Sequence, residues 1–102
     1  GNMKAAAECG KDCHIVDEQQ YIYLLSEADG IHIIRKDSQY GRYVSIIPMS
    51  ENVSLSLEGF KYTLDNYELK QGLSICQSNE VEDEQGIIKV HKGLIIVLET
   101  KD

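Results

Sequence analysis

The sequence contains no tryptophan, one phenylalanine and one proline, and its longest aliphatic run, Leu94 to Leu98, is no longer than a strand. A membrane-spanning helix needs about 18 consecutive apolar residues, so no membrane contact of that kind is expected. No stretch is rich enough in proline or serine to serve as an interdomain linker. A chain of 102 residues is therefore expected to form a single domain over 1–102. Cations are also scarce: 10 Lys and Arg stand against 17 Asp and Glu, a formal charge of −7. That surplus repels phosphate backbones, which argues against general nucleic-acid binding. It suits a basic partner, or serves solubility alone.

Three cysteines, an odd number, argue against a fully paired secreted disulfide framework and favour reduced thiols in a cytoplasm. No apolar segment follows Gly1-Asn2-Met3-Lys4, so no signal peptide is expected. Gly1 and Asn2 are either a cloning remnant or the mark of a trimmed precursor, and a trimmed precursor would place the protein outside the cytoplasm. Absent too are the G-x-S-x-G elbow, the H-E-x-x-H helix and the phosphate-binding G-x-x-x-x-G-K-[ST] loop. No cofactor is expected on these grounds, and the balance leans away from an enzyme.

What the chain does contain is strand-forming sequence. After a run of good helix formers over 3–13, interrupted by Gly10, short stretches rich in Ile, Val, Leu and Tyr alternate with Gly, Asp, Asn and Ser. This pattern predicts strands near 20–26, 31–36, 43–48, 53–58, 60–64, 73–77, 86–91 and 94–99. The expected fold is mainly β, a small antiparallel barrel or sandwich with a short N-terminal helix. Residues 1–18 form a helical or mobile segment in this reading, and 20–99 a strand-rich core.

Two hairpins are expected. Val53 to Leu64 alternates polar and apolar residues on both sides of Glu58-Gly59. A two-residue turn there pairs Leu57 with Phe60, Leu55 with Tyr62 and Val53 with Leu64, all on one face. The competing reading is a helix over 60–71, because Phe60, Leu64 and Tyr67 fall at helical spacing. The second hairpin spans Ile87 to Glu99 and turns at Lys92-Gly93. It puts Ile88, Val90, Ile95 and Val97 on one face of strands that lie in the middle of the fold.

Chemistry has two candidate places. In Cys9-Gly10-Lys11-Asp12-Cys13-His14, helical spacing brings Cys9 and Cys13 to one side, and with His14 they offer two thiolates and an imidazole to a zinc ion. There is no second ligand pair and no C-x-x-C, so a disulfide or free thiols compete with that metal site. The second candidate is the loop 35–43, where Arg35, Lys36 and Arg42 outnumber Asp37, with Tyr40 and Tyr43 interleaved. Arginine and tyrosine together hold carboxylates, phosphates or aromatic edges, so Arg35, Lys36, Tyr40, Arg42 and Tyr43 are the expected binding residues. The bland alternative is a solvated loop whose cations balance nearby acids. His32 and His91 read as half-exposed strand residues, Cys76 as a small core residue, and Tyr21, Tyr23 and Leu25 as one face at the core edge. The functional expectation is a small non-catalytic binding or protein-interaction module with a protein or a small anionic ligand as partner. The alternative is a small enzyme or metal-binding protein built on Cys9, Cys13 and His14.

Overall fold

The computed structural model describes residues 14–16, 20–70 and 78–101. Among the described residues the chain forms β1 (His14–Val16), β2 (Gln20–Ser26), β3 (Ile31–Arg35), β4 (Tyr43–Pro48), β5 (Asn52–Glu58), β6 (Leu64–Lys70), β7 (Gln85–Lys92) and β8 (Leu94–Thr100), with a short 3-10 turn at Glu27–Asp29. They make two antiparallel sheets, ordered β1-β2-β8-β4 and β3-β7-β5-β6. The inner faces pack as a sandwich, and each comes from simple alternation: Val44 and Ile46, Val53, Leu55 and Leu57, Ile88 and Val90, Ile95 and Val97 are all buried. Burying a side chain of this kind is worth roughly 1.5–3 kcal/mol. Phe60 and Val81 join the same core through an isolated bridge between them.

The mainly β expectation holds, while the N-terminal helix has no support. Residues 1–13, with Cys9 and Cys13, lie outside the described residues, and His14–Val16 is a strand paired with β2. The expected strand at 73–77, with Cys76, lies outside them as well.

Both hairpins need correction. β5 pairs β6 through Val53 with Leu69, Leu55 with Tyr67, and Leu57 with Leu64, so the connection spans 59–63 and not two residues. Phe60 is buried but Tyr62 is exposed, and 64–70 is strand where a helix over 60–71 was the alternative. The wider loop lets Phe60 turn inward onto Gly86, where the ring lies so close that no Cβ would fit between them.

β7 and β8 do not pair with each other at all. β7 lies between β3 and β5 in one sheet, and β8 between β2 and β4 in the other. The chain changes sheets at Gly93, whose φ of 90° suits glycine and whose added Cβ would stand 2.7 Å from the Asn52 carbonyl oxygen. Their central placement was foreseen, and so was the shared burial of Ile88, Val90, Ile95 and Val97. Pro48 closes β4, an edge strand, where a missing N–H costs the sheet least.

Candidate functional site

Along β8 the inward positions are Ile95, Val97 and then Glu99, so the alternation that buries two aliphatic side chains also buries a carboxylate. Glu99 is 4% exposed and sits between Tyr21 on β2 and Val44 on β4. A buried carboxylate is costly unless it is hydrogen-bonded. The Tyr23 hydroxyl donates to its Oε2 at 2.6 Å, and the backbone N–H of Tyr40 donates to its Oε1 at 3.3 Å. The Tyr23 oxygen is also 2.9 Å from His32 Nε2. Burial, reinforced by the hydrogen bond to Glu99, pushes the Tyr23 hydroxyl far above the usual phenol range, so it stays protonated. Burial also lowers the His32 imidazole below its ordinary value, against the opposing pull of Glu99 and Asp29.

Above this chain of groups lies an open cleft of about 590 Å³, lined by Tyr21, His32, Ile33, Ile34, Arg35, Ser38, Gln39, Tyr40 and Glu99. That volume falls in the range of small-molecule sites. One wall is aromatic: the rings of Tyr21 and Tyr23 are 4.8 Å apart, and those of Tyr21 and Tyr40 5.7 Å. The Lys101 ammonium stands 4.6 Å from the centre of the Tyr40 ring, within cation–π range. Gln39 Oε1 is closed off from solvent and has no hydrogen-bond partner. A buried carboxylate beside a tyrosine wall favours a flat, cationic ligand.

The structure divides the residues expected to bind. Arg35 and Tyr40 line the cleft, with Arg35 exposed at its mouth and 3.5 Å from Asp37. Lys36 turns elsewhere: its backbone N–H donates to the Glu84 carbonyl and its ammonium to the Glu82 carbonyl. Arg42 bonds Glu80 at 2.9 Å and lies over the Tyr43 ring, and that contact holds the Glu80 carboxyl below its usual range. Gly41 makes no positive-φ turn. It lies so close to the Thr100 backbone that a Cβ would collide with its carbonyl. Of the proposed metal ligands, Cys9 and Cys13 lie outside the described residues, and His14 is described only as part of β1. No group of three or more His, Cys, Asp or Glu that could hold a metal ion occurs among the described residues.

A second polar arrangement surrounds Asn79, 3% exposed. Its Oδ1 accepts from the backbone of Tyr62 and Glu80, and its Nδ2 donates to the Tyr62 carbonyl. Its backbone exchanges two hydrogen bonds with Val44. Every polar atom of this side chain is satisfied within the fold, so it clips the 59–63 loop to β4 and leaves nothing for a ligand. Sequence reasoning missed Glu99. The signal was present as a charged residue in the buried phase of 95, 97 and 99. The alternation of Tyr21 and Tyr23 predicts a core edge; Tyr23 is core, and Tyr21 is half-buried as cleft wall.

Residues 31–95 match the family described as thiamin pyrophosphokinase, vitamin B1 binding domain. The chain is 36% identical over 89 residues to the thiamine pyrophosphokinase of Bacillus subtilis, covering 86% of this chain and 40% of that protein. It is similar to the crystal structure of a thiamine pyrophosphokinase from Bacillus subtilis, with a TM-score of 0.80 at 34% identity, covering 89% of this chain and 42% of that one. The corresponding structure from Geobacillus thermodenitrificans gives 0.76 at 33% identity, over 87% and 40%. The chain thus spans about 40% of the length of the curated relative it matches. These matches overturn the expectation of a non-catalytic, protein-binding interaction module, because the proteins they name are enzymes.

Proposed function

The chain belongs to the thiamin pyrophosphokinase vitamin B1 binding domain family, and from that membership we propose that it seats thiamine in the cleft over Glu99 as the acceptor-holding part of such an enzyme. Thiamine joins a thiazolium, which carries a permanent positive charge, to a flat aminopyrimidine and a primary hydroxyl. The observation that carries the reading is the buried Glu99 carboxylate, which accepts two hydrogen bonds and sits beside a wall of tyrosines. A thiazolium gains from a carboxylate and from tyrosine faces alike. Arg35, at the mouth, suits the hydroxyl end, where the pyrophosphoryl group would arrive. The net charge of −7 favours such a cation over the small anionic ligand expected from loop 35–43. Pyrophosphoryl transfer itself is proposed for the larger enzyme.

Isothermal titration of the chain with thiamine should give saturable binding. Glu99→Gln removes the charge and leaves one oxygen in place of the two that accept from Tyr23 and Tyr40, and it should weaken binding about tenfold or more. Glu80→Gln, at the self-satisfied Arg42 contact, should leave it unchanged. No binding by the parent would refute the reading. Loss in Glu80→Gln with Glu99→Gln unaffected would move the seat to the Arg42–Glu80 side.

A further inference from the structure

The Tyr23 hydroxyl stands between two partners, 2.6 Å from Glu99 Oε2 and 2.9 Å from His32 Nε2, and it has one hydrogen to give. A carboxylate only accepts, so that hydrogen goes to Glu99 and the tyrosine oxygen faces His32 as an acceptor. His32 must then carry its hydrogen on Nε2, and Nδ1 is where the ring gains or loses its proton. The order is fixed from the carboxylate outward: His32 donates to Tyr23, and Tyr23 donates to Glu99.

We propose that His32, acting through Tyr23, is the positioning residue that decides whether Glu99 is available to a cationic ligand. With the ring neutral, the cleft floor holds one carboxylate and the ligand's cation completes it. With the ring protonated, an imidazolium joined to Glu99 through one hydroxyl supplies the positive charge internally, and the ligand's cation meets a neutralised site. This rests on the reading of the cleft as a seat for thiamine and adds to it the group that controls occupancy.

The surroundings of His32 bear on the direction. Tyr23 bonds it from β2, Glu99 on β8 and Asp29 in the 3-10 turn act on it through their charges, and Tyr21, Tyr40 and Arg35 line the same cleft. Glu99 and Asp29 favour the imidazolium, but burial outweighs them and lowers the ring below its ordinary value. The ring is therefore neutral near pH 7, and the site is open to a cation. As the solution is acidified, ligand and proton compete for the same carboxylate. Binding should therefore weaken as pH falls, and thiamine should release the proton when it binds.

The test is the pH profile of thiamine affinity for the full chain and for His32→Gln. The Gln amide can still donate to Tyr23 but cannot take up a proton. As pH falls from about 7.5 through and below the ordinary imidazole range, where the lowered His32 ring takes up its proton, the parent should lose affinity roughly five- to tenfold, the effect of one charge in a partly screened site. Any protonation of the aminopyrimidine is common to both proteins, so the difference between profiles reports His32 alone. A parent profile that is flat, or that coincides with the variant's, would overturn the proposal. Should thiamine bind neither protein, the vitamin reading fails and the imidazole is judged by itself. Nitrogen-detected spectra of the ligand-free chain should show hydrogen on His32 Nε2 at pH 8, with a titration midpoint that falls in Glu99→Gln. Hydrogen on Nδ1, or a midpoint that does not move, would overturn it in that case.

Discussion

Gly41 illustrates how a single atom positions the cleft. Its backbone lies so close to the end of β8 that an added Cβ would overlap the Thr100 carbonyl, a clash with backbone that no side-chain movement relieves. The next residue back, Tyr40, donates its backbone N–H to Glu99, so the close approach at Gly41 also delivers a partner to the buried carboxylate. Gly41→Ala should therefore cost about 1–3 kcal/mol, as overpacking against an immovable neighbour. Denaturant melts check this, and an unchanged midpoint would show that the loop can lift away. Glu99 was visible in the sequence as a charge in an apolar phase, but what satisfies it was not. Tyr23 lies 76 positions away and Tyr40 59, and no local pattern connects residues at such separations.

At the scale of elements, alternation reveals which way a side chain points but not what the strand pairs with. Val53, Leu55 and Leu57 were placed inward correctly, and all three are buried. The register beyond Glu58 was not, because a wide loop and a two-residue turn leave the β5 alternation unchanged. The loop won because it carries Phe60 into the core against Gly86 and Val81 and leaves Tyr62 outside at 60% exposure. A pair of substitutions separates the two registers. Leu57→Ala should cost roughly 2–5 kcal/mol as a core truncation. Tyr62→Ala should stay within about 0.5 kcal/mol, as an exposed change. Equal losses at both sites in urea melts would restore the tight hairpin. The β7–β8 connection misled for a related reason: Lys92-Gly93 has the composition of a hairpin turn, yet at φ 90° Gly93 passes the chain from one sheet to the other.

For the molecule as a whole, consecutive strands pair directly only at β1–β2 and β5–β6 among the described residues, and the other ladders join distant segments. β8, near the end of the chain, lies between β2 and β4. The first sheet thus stays incomplete until its last strand arrives, and long loops must close before those contacts form. Stopped-flow refolding should accordingly run on the order of milliseconds to seconds, as for all-β domains. A microsecond phase carrying the full amplitude would contradict this topology. By itself the sequence determined the strand class, most strand positions, the inward-facing set and the acidic surface, because these follow from spacing along a few neighbouring residues and from composition. The tertiary structure alone decided which sheet each strand joined, where the chain crossed between sheets, and that Tyr23, His32, Tyr40 and Glu99 would meet at one cleft. A strand presents equivalent hydrogen-bonding edges to any partner, and the choice among partners is made by the packing of the whole core.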